Sequence, residues 1–383
     1  MIINKKLATI SILLMALSGY AYYVFGQTWE RIVWAGAVAF AVFAIEGFTD
    51  EIRIEKSISG FVYFLFILSF VLDSLLTLSI RPLIYGGAMA ITYWICIVLM
   101  RQVMTDSLFD VIFWISIVWT VVVVVVSLSG GVGTAHYSGI FVNPNTFGIF
   151  MESMFTVLIS YYAHKAIENR ALRIYDYFLI IACAILIIVS SCRIAIGAML
   201  VQLGLFLILA LSKRQFDQKQ VWITAATILA LIVVLLIVSG HFSLFTIFQD
   251  SFVSKFKMYS DQGDITDGRM VMWKAIIEKS GLIGDGNKAY VDSLGLEAHN
   301  TYLGLANQYG KINAVLFLIF VVINGIETLI AALRSDAGKW RFLPLMSAVG
   351  FAMVSMTENF LMTMPMLMFF FSIPLCKYYG AKK

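Results

Sequence analysis

The chain reads as an all-α polytopic membrane protein of about twelve transmembrane helices, with one large, partly helical outer loop between spans 9 and 10. Three observations predict this. Hydrophobic residues make up 61% of the sequence and charged residues 13%, with a mean hydropathy of +0.89, whereas about a quarter of the residues of a soluble domain are charged. Apolar stretches of the roughly 20 residues that a helix needs to cross a bilayer recur along the chain. Finally, Lys and Arg concentrate in alternate connections between those stretches, the bias that sets membrane orientation.

The stretches fall at 7–25, 31–48, 58–78, 83–100, 108–128, 145–163, 174–192, 194–212, 221–240, 312–333, 342–360 and 362–379. The first is longer than the apolar core of a signal peptide and lacks a small-x-small cleavage site, so it is expected to stay as a span. With the N-terminus inside, the cytoplasmic segments carry Lys5 and Lys6, Arg53 and Lys56, Arg101, Lys165, Arg170 and Arg173, Lys213, Arg214 and Lys219, Arg334, Lys339 and Arg341, then Lys377, Lys382 and Lys383. Short connections on the other side hold Arg31, Arg81 and Arg193. This places both termini in the cytoplasm and segment 241–311 outside, within a single integral membrane domain over 1–383. The net charge of +4 is then an orientation signal in short loops, and a nucleic-acid partner is not indicated. No internal repeat points to a secondary transporter. Cys96, Cys183, Cys192 and Cys376 form no CxxC and read as small core residues, with neither a disulfide framework nor a zinc site.

Segment 241–311 is the one long polar stretch. Thr266, Asp267 and Gly268 resemble a helix start, after which Arg269, Met272, Trp273, Ile276 and Ile277 recur at helical spacing and Gly281 stops the helix. Lying along the membrane interface by its Trp and Ile face, such a helix would hold Arg269 at the level of lipid phosphates. Glycines in 281–287 allow a turn in close contact with something else. In the following AHNTYLGLANQYG, His299, Tyr302 and Ala306 share a face of an expected helix, and His299 has the chemistry of a general base. The spacing of Asp261, Asp264 and Asp267 does not fit a calcium loop, and no His/Cys cluster suggests a metal.

Ionisable residues in or at the rim of spans are costly and so invite a functional reading. They are Glu46, Asp73, Glu152, Arg193 and Glu358. For Glu46 and Asp73 an interior polar contact or snorkelling is the simpler reading. Arg193, in VSSCRIAIGA between two spans, offers a guanidinium fork suited to phosphate, or an interfacial anchor. In the loop from Ser129 to Gly148, Asn143, Pro144 and Asn145 suit the start of the next helix, with capping and substrate contact both open.

NPNTFG at 143–148, SCR at 191–193, RMVMW at 269–273, then GDGN and AHNTYLGLANQYG ending at Gly310 occur in that order on the outer side of a many-span chain. This combination resembles the O-antigen polymerase/ligase family of bacterial envelope glycan assembly, a GT-C-like architecture. Cys192 and Lys311 depart from its usual residues without removing a functional group. The resemblance implies a donor glycan on undecaprenyl diphosphate, no cofactor and no required metal. It also implies that Arg193 and Arg269 clamp the donor diphosphate and that His299 deprotonates or orients the acceptor hydroxyl. Asn143, Asn145, Trp273, Gly284, Gly286, Asn300, Tyr302 and Glu358 complete the expected substrate-binding set. The activity implied is polymerisation of lipid-linked repeat units at the outer face of the bacterial cytoplasmic membrane, with a chain-length regulator as a partner. Ligation of the glycan to lipid A core is the alternative, and transport of the lipid-linked glycan a more distant one.

Overall fold

The computed structural model describes residues 2–14, 27–47, 57–95, 106–129, 137–139, 141, 143–167, 174–212, 269–286, 288–291, 298–333 and 340–359. In chain order these form β1 (Ile2–Ile3), α1 (5–14), α2 (Gln27–Phe43), β2 (Ile45–Gly47), α3 (Ile58–Thr77), α4 (Ile80–Trp94) and α5 (Asp106–Ser129). They continue with α6 (Pro144–Ile167), α7 (Ile174–Val189), α8 (Arg193–Ser212), α9 (Arg269–Lys279), α10 (Thr301–Tyr309), α11 (Lys311–Leu333) and α12 (Phe342–Ser355). The fold is all-α apart from the antiparallel pair β1–β2. Two described helices, α3 and α11, are long and apolar enough to cross a membrane, and several others are apolar but shorter. The stretches expected at 221–240 and 362–379, and the loop residues 241–268, lie outside the described residues.

The chain divides into two compact units, Met1–Met104 with Thr266–Ser335 and Ser355–Lys383, and Thr105–Ile265 with Asp336–Val354. In the first, Tyr63, Phe66 and Phe70 recur three and four residues apart and so share one face of α3. That face meets α11 and α10, with ring centroids 4.7 Å apart for Tyr63–Phe320, 5.1 Å for Phe66–Phe317 and 5.0 Å for Phe70–Tyr309. Polar bonds fix the register. Ser69 donates to Asn313 at 2.5 Å, Asn313 donates to the Tyr309 carbonyl at 2.7 Å, and the Ser59 hydroxyl donates to Glu327. Phe61, Phe64, Leu68, Leu72 and Leu75 cover the opposite side of α3 and are exposed, so its outward face is apolar, in keeping with a candidate membrane span.

The α3–α4 hairpin closes in two residues. Leu78 adopts a left-handed φ of 52° as the cap of α3, and Ser79 caps α4 by accepting from the Arg81 N–H. Gly86 lets α4 lie against Phe70, since a Cβ there would sit 2.7 Å from the Phe70 Cβ.

The second unit is built around α6, which is buried without a break from Phe147 to Ser160. Inside it the Thr156 hydroxyl donates to Glu152 at 3.1 Å, while Gln202 donates to Thr156 at 2.8 Å and to the Met346 carbonyl at 2.9 Å. Cys183 and Cys192 are buried free thiols; Cys96 and Cys376 lie outside the described residues.

Two expected boundaries change. The stretch 342–360 is helical only from Phe342 to Ser355. The stretch 31–48 is helical only to Phe43, and Ile45–Gly47 pairs with Ile2–Ile3. Glu46 leaves the helix and accepts from Asn4 at 2.9 Å, an exposed contact in place of the interior one expected.

Gly86→Ala should lower the unfolding temperature of the detergent-solubilised protein, by the equivalent of about 1–3 kcal/mol, the cost of overpacking. Gly87→Ala, with nothing within 4 Å of the added carbon, should leave it unchanged. Equal effects of the two would refute the close α3–α4 packing.

Candidate functional site

The site-forming residues of the first unit gather on a short polar segment, Ser355 to Asn359, at the end of α12. The helix ends at Ser355, and the carbonyls that follow it have no place in a helical ladder. The carbonyls of three successive residues here each accept a side-chain bond. Asn300 Nδ2 donates to Met356 O at 2.9 Å, Arg269 Nη1 to Thr357 O at 3.2 Å, and Thr301 Oγ1 to Glu358 O at 2.8 Å. The Glu358 carboxylate approaches His299, with Nδ1···Oε2 at 3.2 Å. Arg269 and His299, thirty positions apart in sequence, are thus held on adjacent residues.

His299 is not on the helix face expected for it. Asn300 caps α10 by accepting from the Leu303 N–H at 3.0 Å, so α10 begins at Thr301 and His299 precedes it. Its backbone takes a left-handed φ of 42°, a conformation that carries a strain of about 1–3 kcal/mol in a non-glycine residue. Three bonds, from Asn300, Thr301 and the His299 ring, surround and hold that turn. A carboxylate accepts, so the Glu358 contact puts the ring hydrogen on Nδ1 and leaves the lone pair on Nε2. The His299 side chain is 36% exposed against 14% for Glu358, which leaves the imidazole within reach of a ligand.

Helix α9 presents Arg269 from its first residue. Its inner face differs from expectation. Ile276 is buried within the protein, and the Trp273 indole N–H donates to the Ala298 carbonyl at 2.7 Å. The Trp/Ile face thus clasps the segment before α10, leaving Met270, Val271 and Ile277 exposed. Tyr302 turns its hydroxyl to Ser355 Oγ at 3.0 Å. Burial raises the phenol above its ordinary pKa, with the Ser355 bond opposing, so Tyr302 stays neutral at physiological pH. Gly304 allows α10 to approach Asn359, whose amide nitrogen would lie 2.6 Å from a Cβ.

Between α9 and α10 the chain makes the glycine turn 281–286. Gly281 and Leu282 carbonyls accept from the Lys311 and Ile312 N–H groups, both at 3.0 Å. The Tyr290 hydroxyl donates to the Ile283 carbonyl, and Asn307 exchanges side-chain bonds with Val291 at 2.8 and 3.2 Å. Burial, then the charge of Asp285, raises the Tyr290 phenol, which keeps it a donor. Gly284 and Gly286, expected to bind substrate, are both buried. A Cβ on Gly284 would meet Asp73, and Gly286, with φ 68°, lies against Ser79 and Thr77. Their lack of a side chain serves close packing within the protein.

The remaining expected residues, Asn143, Asn145 and Arg193, belong to the second unit. Asn143 accepts from the Asn145 N–H at 2.7 Å with Pro144 as the first helical residue, the capping arrangement read from the sequence. Arg193 is exposed and opens α8 after the Ser190–Cys192 turn. Gly148 packs directly on Ser190 and Cys192, so NPNTFG and SCR, distant in sequence, are neighbours within that unit.

Of the residues gathered here, the sequence singles out Arg269, Trp273, His299, Asn300, Tyr302 and Glu358 but not Thr301, Ser355, Met356, Thr357 or Asn359. The polar run SMTEN closing an otherwise apolar stretch was the available signal. The sequence matches no known protein-family model and no curated protein.

Asn300→Ala removes a helix cap and the bond to Met356 O, and should cost about 1–3 kcal/mol of stability. Asn300→Asp retains the cap but cannot donate to Met356 O, so its loss should be roughly 1 kcal/mol smaller. Chemical or thermal unfolding in detergent measures both, and an equally large loss in Asn300→Asp would deny the cap.

Proposed function

We propose that the protein is a membrane glycosyltransferase that joins undecaprenyl-diphosphate-linked oligosaccharide repeat units at the outer face of the bacterial cytoplasmic membrane. The observation that carries this reading is the His299–Glu358 contact at 3.2 Å beside an arginine tethered to the neighbouring Thr357. The apolar helices α3 and α11, together with the sequence's alternation of basic loops, support a multi-pass chain with segment 241–311 outside. The reading rests on the first unit alone.

The chemistry follows from the residues. The acceptor hydroxyl oxygen bonds to the anomeric carbon of the donor sugar as the bond from that carbon to the diphosphate oxygen breaks. The hydroxyl proton passes to His299 Nε2, the atom left free by the Nδ1 contact with Glu358. Undecaprenyl diphosphate departs with the bonding electrons, and displacement from the opposite face inverts the anomeric centre. Negative charge grows on the leaving diphosphate, where the Arg269 guanidinium can supply paired donors. Glu358 holds the ring orientation and stabilises the imidazolium that forms, the division of labour in carboxylate–histidine pairs generally.

A cysteine placed at the exposed Asp285, with the native cysteines replaced, should react with a membrane-impermeant maleimide in intact spheroplasts. Reaction only after lysis would put the loop inside and overturn the assigned orientation.

With reconstituted protein and defined lipid-linked repeats, His299→Ala should reduce chain lengthening by about 10²–10⁴-fold. Arg269→Lys, which keeps charge without the fork, should lose most activity, and Glu358→Gln should lose at least about tenfold with an unchanged unfolding temperature. Full activity of His299→Ala would end the enzyme reading. In cells, loss of the protein should leave single repeat units on the final acceptor; complete absence of glycan there would indicate a ligase instead.

A further inference from the structure

Asp73 has no part in the chemistry above, yet it is the side chain most in need of explanation. It lies near the end of α3, is 0% exposed, and neither carboxylate oxygen has a hydrogen-bond partner. A carboxylate in an apolar, membrane-type helix is expensive and is retained for a reason. What it faces is the glycine turn. A Cβ on Gly284 would lie 2.5 Å from one Asp73 oxygen and 2.9 Å from the other. The Gly284 N–H acts on that carboxylate without closing a hydrogen bond to it. One turn further along, Thr77 and Ser79 receive Gly286, so the floor of the turn is the end of α3.

The turn in question joins both arms of the candidate site. On its N-terminal side it follows α9, which carries Arg269 and Trp273. Its C-terminal side is strapped through Tyr290 and Asn307 to α10, whose cap, Asn300, adjoins His299. Gly310, with φ 87°, presses on the Ile283 backbone from the other side, so the turn is gripped between α3 and the α10–α11 junction. A shift of residues 281–286 would move both arms.

We infer that Asp73 is a positioning residue: its buried carboxylate, facing the Gly284 main chain, seats the 281–286 turn and thereby fixes where His299 and Arg269 stand. Its contribution to activity rests on the glycosyltransferase reading, while its effect on His299 does not. An apolar or amide side chain at this position relieves the cost of the unpaired carboxylate but removes the charge that attracts the Gly284 N–H. Stability and function should consequently move apart, which a purely structural role would not produce.

The test uses the full-length protein in detergent or proteoliposomes. Asp73→Asn should unfold at the same temperature as the parent or higher, while chain lengthening falls about tenfold or more through kcat. In a second arm, His299→Cys in a chain lacking the native cysteines serves as a reporter, and Asp73→Asn should change its maleimide reaction rate at least severalfold. A third arm tests the contact itself: Gly284→Ala should lower the unfolding temperature, and adding Asp73→Ala should recover much of the loss. An unchanged reporter rate, or additive losses in the Gly284/Asp73 pair, overturns the inference. If the parent protein shows no chain lengthening, the proposed reaction fails, and the reporter and pair arms still decide the role of Asp73.

Discussion

The unwound end of α12 is the constraint on which the site depends. Past Ser355 the chain is no longer helical, and the carbonyls of Met356, Thr357 and Glu358 take their donors from side chains elsewhere in the protein. Here the donors come from far along the chain: an amide at Asn300, a guanidinium at Arg269 and a hydroxyl at Thr301. Satisfying that backbone requirement also gathers a cation and an imidazole at one place. The left-handed turn at His299 persists because the bonds on either side of it over-determine its backbone.

The second unit handles buried polarity differently. Glu152, Thr156, Gln202 and the Met346 carbonyl form a chain of bonds inside a helix bundle, and α6 is buried on every side. Such a network ties α6, α8 and α12 together with a directional preference that apolar contacts alone do not give. The close approach of Gly148 to Ser190 and Cys192 adds steric specificity at the helix ends. The NPNTFG and SCR motifs accordingly have a packing rationale in addition to any chemical one.

Much of this was legible in the sequence. Helices appear at ten of the expected apolar stretches, although that at 7–25 is described only to residue 14, because long apolar runs admit few alternatives. The end of α9 before Gly281 and the Asn143 cap followed from local rules of helix termini, whereas the start read at Thr266, Asp267 and Gly268 lies outside the described residues. What could not be read was anything decided by distant partners. Asn300 is as plausible within a helix as before it until Met356 and Leu303 are placed around it. Trp273 and Ile276 looked like an interfacial face because the pattern records apolarity but not whether lipid or protein will cover it.

The glycines of 281–286 show the same limit in sharper form. In a polar loop, the glycines of 281–287 suggest a turn in close contact with something else, and the family resemblance implies that Gly284 and Gly286 bind substrate. The structure fills the space beside Gly284 with a carboxylate and the space beside Gly286 with Thr77 and Ser79, so a phosphate at the Gly284 main chain would meet like charge from Asp73. Coulomb repulsion at such a distance, in a poorly solvated setting, amounts to several kcal/mol at an effective dielectric of about 20. The space beside these two glycines is thus given over to packing against α3.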